Sequence, residues 1–496
     1  MSCIDDAERQ TPPANWALSE IGEITLPVAK IDPSGDPERK IAYIDISGID
    51  NQVNRIAETK FFRVADAPSR ARQIVSVGDV LFSLVRPYLR NIAQVSDQLD
   101  GQIASTGFAV LRPSSGIDPK FLFFKAISRE FVDSLSGEQY GVSYPAVKDS
   151  QVRAQPVLLP PTNEQRRIVE KIETLFARLD QGEAALRQTQ QLLARYRQSV
   201  LKAAVTGALT ADWRAANAHR LEHGRDLLAR ILQTRRETWQ GRGKYQEPAA
   251  PDTTDLPELP EGWVWATVDQ VVSVFRNGLS KKPVSDANNF PILRISATRA
   301  MSVAIDDLRY YQPSKGEDVD SYWVEKGDLL FTRYNGSAHL VGVCGQMRES
   351  SPVLHPDKLI KARPVPAAGL YVDYLETAWN AGETRRHIAA NIKTTSGQQG
   401  VAGADIKSAP FPLPPAEEQA LIAELISDAF ERVRRGLDHC QTELTRSAAL
   451  RQSILKDAFA GKLVPQDPAD EPATELLARI RASRASQPRN TRRSSA

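Results

Sequence analysis

His219 and His223, in the stretch "HRLEH", lie one helical turn apart and could face a zinc ion together. The pattern lacks the glutamate that a hydrolytic HExxH site needs beside its first histidine, so a solvated helix face is the expectation. "DPERK", residues 36–40, sets Glu38 two places before Lys40 as some metal-dependent nucleases do. No Pro-Asp pair precedes it closely, and a charged turn is the better reading. No GxxxxGK[ST] loop occurs to cradle a phosphate, no GxGxxG follows a strand, and no nucleophile sits in a recognisable elbow. Neither Leu-Pro-Pro site, at residues 159–161 or 413–415, is followed by the aromatic residue that an amino-methyltransferase would stack on a base. Catalytic, metal and cofactor sites are therefore expected to be absent from this chain.

The bulk numbers are those of an ordinary globular protein. At 496 residues the chain is too long for one core, and its 41% hydrophobic and 25% charged residues are unexceptional. Lys plus Arg (63) nearly cancels Asp plus Glu (61), so any basic surface must be local. Cys3, Cys344 and Cys440 have no metal or redox spacing and read as incidental thiols. No apolar run is long enough for a membrane span and the start does not read as a signal peptide, so the cytoplasm is expected.

Self-comparison reveals what must position any site. "LLPPTNEQRRIVEKIETLFARLD" (158–180) is answered by "PLPPAEEQALIAELISDAFERVRR" (412–435). "PPANW" faces "LPEGWVW", "VSVGDVLFSLVR" faces "WVEKGDLLFTRY", "LKAAVTGALT" faces "LKDAFAGKLV", and "RDLLARI" returns as "TELLARI". The landmarks keep their order, with insertions only in the globular parts. The chain therefore reads as two copies of an α+β globule followed by a helical arm. The expected divisions are a first globule at 1–158, a first arm at 159–245, a Pro-rich linker at 246–258, a second globule at 259–411, a second arm at 412–484 and a basic, disordered tail at 485–496.

Each arm shows heptad spacing. Ile168, Ile172, Leu175, Leu179, Leu186, Leu193, Tyr196 and Val200, with Gly182 and Thr189 in the gaps, form one seam. Ile422, Ile426, Ala429, Val433, Leu437, Cys440, Leu444, Ser447, Leu450 and Ile454 form the other. A helix of about 43 residues would be about 60 Å long and must bury its stripe, most simply against the other arm in an antiparallel coiled coil with a pseudo-twofold axis. Thr162 and Gln165 fit a capping box, for which Ala416 has no hydroxyl. Gly182 and Gly436 would let the arms approach midway.

Doubled globules, each opened by Pro-x-x-Trp, carrying a Gly-Asp strand and followed by Leu-Pro-Pro, Glu-Gln and a long helix, resemble the specificity subunit of type I restriction-modification systems. The resemblance covers essentially the whole chain. It implies two target recognition domains, each reading one half of a split, asymmetric sequence in double-stranded DNA, with the antiparallel helices fixing the gap between the halves. It also implies two methyltransferase partners and restriction–translocase subunits. S-adenosylmethionine, ATP and Mg would be used by those partners and no cofactor bound by this chain. The competing reading is a coiled-coil scaffold whose two globules bind ligands unrelated to DNA modification.

Under that resemblance, loops with hydrogen-bonding side chains become candidate DNA contacts. Arginine bonds guanine bidentately and asparagine bonds adenine in the same way. After the Gly-Asp strands come Arg86, Tyr88, Arg90 and Asn91, and Arg333, Tyr334, Asn335 and His339. Before the arms come Gln139, Tyr140, Ser143 and Tyr144, and Lys393, Thr394, Gln398 and Gln399. A solvated loop edge is the bland alternative for each. The arginine-rich end could add weak phosphate attraction. The "LLARI" helices are expected to dock the methyltransferases, against the alternative of packing within the arm.

Overall fold

A computed structural model describes residues 12–136, 146–240, 243–395 and 398–486. The chain divides into two compact units, Met1–Arg187 with Gln441–Ala496, and Gln188–Cys440. Packing rather than sequence order draws this division. The first arm helix, Thr162–Val205, begins in the first unit and ends in the second, and the second arm helix, Ala416–Phe459, does the reverse.

Each unit contains the same three sheets. In the first, Ala17–Glu20 pairs with Pro156–Leu159. A four-stranded sheet then runs Lys60–Arg63, Lys40–Ile44, Ile103–Ser105, Ala71–Ile74, and another runs Thr25–Leu26, Phe108–Pro113, Val80–Ser83, Ile92–Gln94. In the second unit Val264–Thr267 pairs with Pro410–Leu413. The larger sheets run Leu308–Tyr311, Phe290–Leu293, Val353–Leu354, Trp323–Val324, and Val272–Asn277, Leu359–Pro364, Leu329–Thr332, Cys344–Gln346. The parallel pair falls in the same place in both. "VLFS" and "LLFT" are wholly buried because each is an inner strand covered on both faces.

The recurring residues are those that hold these elements together. Asp79 follows its glycine into a buried position and takes Arg112 in a fork, with Nε and Nη2 at 2.9 and 2.7 Å. Asp328 takes Arg363 in the same way, at 2.7 and 2.8 Å. Trp16 Nε1 donates to Glu164 at 2.9 Å, and Trp263 Nε1 donates to Glu418 at 2.8 Å. The tryptophan that opens each globule thus anchors the glutamate that opens the arm.

The neighbouring glutamines finish each joint. Gln165 accepts from the amide of Asp118 and donates to the carbonyl of Pro160, and Gln419 accepts from Tyr371 and donates to Pro414. The expected capping box at Thr162 is therefore absent: its hydroxyl donates to the Gly116 carbonyl, and Gln165 is already engaged. The second arm lacks that hydroxyl bond at Ala416 but starts on the same backbone bond, Gln419 N to the Pro415 carbonyl, as Gln165 N bonds that of Pro161.

Within the first unit the arm helices run antiparallel. Glu183 accepts from Ser447 at 2.8 Å, Asp180 accepts from Arg451 at 2.6 Å, and Arg451 also lies over the Phe176 ring. Ile168, Ile172 and Leu175 join Ile454, Ala458 and Phe459 in the core. The second unit shows the same sense, with Leu193 against Gly436 and Arg197 over Phe430. The seam differs from the heptad expectation at four places. Gly182, Thr189, Tyr196 and Leu450 face solvent, and Arg197 and Arg451 reach across the seam with their guanidinium groups over Phe430 and Phe176, because a helix with 3.6 residues per turn drifts from a strict seven-residue repeat. A Cβ on Gly436 would meet Leu193 at 2.9 Å, but one on Gly182 would meet nothing, so only one of the two glycines serves close approach.

The arms end at Gly207 and Gly461, both left-handed at φ 72° and 73°. A side chain there would strike Pro260 and Pro13, beside Trp263 and Trp16 respectively. The "LLARI" helices, Gly224–Glu237 and Ala473–Ser486, bury Leu227 and Ile231 in the second unit and Leu476, Leu477 and Ile480 in the first. Their apolar faces are thus already covered by the globules, which leaves only their outward polar faces for a partner subunit. The Pro-rich stretch is tied down too: Ala249 accepts from Thr267 and Pro257 from Trp265. Arg481 pairs with Glu23 and Arg484 bonds the Gly22 carbonyl, so these arginines brace the first globule.

Candidate nucleic-acid interface

In the second globule the chain leaves the buried strand Leu329–Thr332 at Arg333 and enters a short strand, Tyr334–Asn335. That strand pairs with Gln398–Gly400, matching Asn335 to Gln399, and Lys393–Thr395 adds along the other edge. Two loops picked separately from the sequence therefore meet in one small sheet carrying Arg333, Tyr334, Asn335, Lys393, Thr394, Gln398 and Gln399. Arg333 stacks its guanidinium 4.8 Å over Tyr334. Arg333 Nε and Gln399 Oε1 are buried, and neither has a hydrogen-bond partner among the described residues. Buried polar atoms in that state are costly. His339 is exposed on the following turn, Ala338–Leu340.

Beside this sheet lies a cleft of about 550 Å³ lined by Lys281, Lys282, Arg294, Arg299, Arg309 and Lys358, with Asp357 as its one carboxylate and Asn335 at its wall. Arg294 is paired with Asp307 at 3.3 Å, and Lys281 donates to the Gln312 carbonyl at 2.7 Å. A concave surface with this excess of cations concentrates polyanions. Sequence reasoning missed these residues because they come from separate segments of a nearly neutral chain. Only "SKKP" clusters charge locally.

The first globule repeats the backbone but not the charges. Val147 N donates to the Leu84 carbonyl as Val401 N donates to that of Arg333, and Val85 bridges Ala146. Gln139, Tyr140, Ser143 and Tyr144 lie outside the described residues. Arg86 and Tyr88 stand at the exit of the strand, with Tyr88 exposed. Arg90 is corrected from reader to anchor: its Nη2 donates to the Ile127 carbonyl at 2.5 Å and to Gln452 at 3.3 Å, and burial pushes its pKa down. Asn91 is half-buried and accepts from Ser83 N through its carbonyl. The turn Ile46–Gly48, counterpart of Ile295–Ala297, is flanked by Asp45 and Asp50 where the second globule has Arg294 and Arg299. Asp45 caps its own turn by accepting from Ile46 N at 2.9 Å.

Other candidate chemistry resolves into structure. His223 accepts from Arg225 N and caps a helix. Cys344 and Cys440 are buried free thiols, and Cys3 lies outside the described residues. Among the described residues no group of acidic, histidine or cysteine side chains could hold a metal, and no helix is long and apolar enough to cross a membrane.

A family model described as the type I restriction modification DNA specificity domain matches residues 70–188. Among curated relatives, the type I restriction enzyme EcoKI specificity subunit of Escherichia coli K12 is 33% identical over 386 residues, covering 76% of this chain and 74% of that one. The StySPI specificity subunit of Salmonella potsdam is 28% identical over 384 residues, covering 76% and 74%. A chain solved in work on the "structural basis underlying complex assembly and conformational transition of the type I R-M system" is 25% identical. It aligns with a TM-score of 0.67, covering 91% of this chain and 99% of that one. The scaffold reading finds no support among these relatives.

Proposed function

Because this chain belongs to the specificity subunits of type I restriction enzymes, we propose that it reads a split, asymmetric sequence in double-stranded DNA and directs its partners to it. In this reading each globule reads one half-site and the arm length sets the number of unread base pairs. Methyltransferase subunits modify adenine with S-adenosylmethionine, and restriction–translocase subunits use ATP and Mg to cleave. The chain itself supplies recognition and no reacting group.

The observation that carries the reading is a contrast at matched positions. Two globules with the same strand order differ where a reader would touch DNA, with Asp45 and Asp50 in one facing Arg294 and Arg299 in the other. Equivalent frames with different polar edges are what an asymmetric target requires, since base contacts specify and the frame only positions. The test is to express the chain with the methyltransferase encoded beside it and map methylated adenines in the host genome. A bipartite motif with a fixed gap is expected. An unmodified genome despite a stable complex would overturn the reading.

A further inference from the structure

Pro87–Leu89 forms a single 3-10 turn between Arg86 and Arg90, whose φ angles of 50° and 56° are left-handed. Residues other than glycine hold that conformation at a cost, and only where their surroundings enforce it. Here Asn51 Nδ2 donates to the Leu89 carbonyl at 2.8 Å, and Asn54 Nδ2 donates to those of Arg90 and Ile92 at 3.3 and 3.1 Å. Both asparagines belong to the turn joining Ile49–Asp50 to Arg55–Ile56. Arg90 is held from the opposite side by Ile127 and Gln452. The strained turn is gripped between two elements, and what it presents to solvent is Tyr88 at 45% and Leu89 at 39%, with Val53 at 59% on the gripping turn.

The second globule has no such tip. Its corresponding turn follows Gly336 and Ser337 and exposes Ala338 and His339, and Met301, on the adjoining hairpin, packs inward on the core beside Asn380.

The major groove offers one apolar group, the C5-methyl of thymine. We propose that Val53, Tyr88 and Leu89 form a specificity-determining surface that recognises thymine methyl groups in the half-site read by the first globule, an assignment that rests on the DNA-reading function above. A wedge driven between base pairs would need a side chain standing clear of its neighbours. Tyr88 and Leu89 each hide more than half of their surface, and the rigid seat suits them to a methyl group on the groove floor. A fixed position is what allows so small a group to be discriminated.

The test uses the chain purified with its methyltransferase and duplexes carrying its own methylation motif, each thymine replaced in turn by deoxyuracil. Loss of one seated methyl is expected to weaken binding about fourfold, at one or two positions and in one half-site only. Tyr88→Ala with Leu89→Ala should then bind thymine and deoxyuracil duplexes equally. Specific binding that no exchange weakens overturns the proposal, and so does a double variant that keeps the preference for thymine. Bright 2-aminopurine fluorescence beside an insensitive thymine would mean a wedge and also overturn it. A complex with no sequence preference would overturn the DNA-reading function itself, and this assignment with it.

Discussion

The two globules agree in what they bury and disagree in what they expose. Asp79 with Arg112 and Asp328 with Arg363, Trp16 with Glu164 and Trp263 with Glu418 are paired contacts at matched places. At the exposed edge, the first globule carries acidic Asp45 and Asp50 and an apolar tip, and the second carries a basic cleft. Residues that position are repeated and residues that would read are not, so the matched pairs give an internal control for any change at the edges.

The largest effect should come from breaking the frame itself. Asp79→Asn or Asp328→Asn leaves a forked arginine facing a neutral amide beneath a strand, and is expected to cost about 3 kcal/mol in either unit. Thermal or denaturant unfolding checks this. If one variant were nearly neutral, the two ion pairs would not be equivalent parts of one frame.

Acid should separate the units. His355 is fully buried in the second unit, bonded through Nδ1 to the Tyr322 carbonyl, and burial lowers its pKa to about 4. The unfolded chain takes up a proton near pH 6.5 while the folded one stays neutral, so stability is full above that pH and is lost as pH falls toward 4. The loss at pH 5 is expected to be about 2 kcal/mol. Hydrogen exchange at pH 7 and pH 5 should show the second unit opening preferentially, and His355→Gln should flatten the dependence.

How much of this was legible in the sequence follows from how the parts are encoded. Repetition exposed the frame because the same Trp, Glu-Gln, Gly-Asp and helix-ending Gly recur in order. It did not say that Trp16 bonds Glu164, since the partners are far apart in the chain and each alone resembles an ordinary landmark. Nor could heptad spacing say that half of each arm packs with the opposite globule. The cleft was invisible because Arg294 and Arg309 are gathered only when Phe290–Leu293 pairs with Leu308–Tyr311, and Lys281 and Lys358 only when Leu279 bridges Pro356. Arg90 misled because an arginine in a basic loop looks the same whether it points out or in.

The cleft supplies the next contrast. Arg294→Gln with Arg299→Gln should weaken binding roughly tenfold and shrink the slope of log K against log salt, because both cations leave the cleft's field on the DNA. Asp45→Asn with Asp50→Asn in the first globule should leave that slope unchanged or steepen it. Equal slopes for both double variants would remove the electrostatic difference between the globules.

The finest contrast lies between two glycines in matching places on the arms. Glycine inside a helix costs about 0.5–1 kcal/mol relative to alanine through its backbone freedom. At Gly182 an added Cβ meets nothing within 4 Å, so Gly182→Ala should stabilise the first unit by that amount. At Gly436 the same atom would lie 2.9 Å from Leu193 Cδ1, closer than carbon atoms tolerate, and the leucine would have to leave its place in the seam. Gly436→Ala should therefore lose the backbone gain to overpacking and come out neutral to destabilising by about 1 kcal/mol. Opposite shifts in the unfolding midpoint would show that the repeat preserves a residue at both places but uses it at only one. Stabilisation by both changes would mean that Leu193 yields freely and that the arms do not depend on close approach at Gly436.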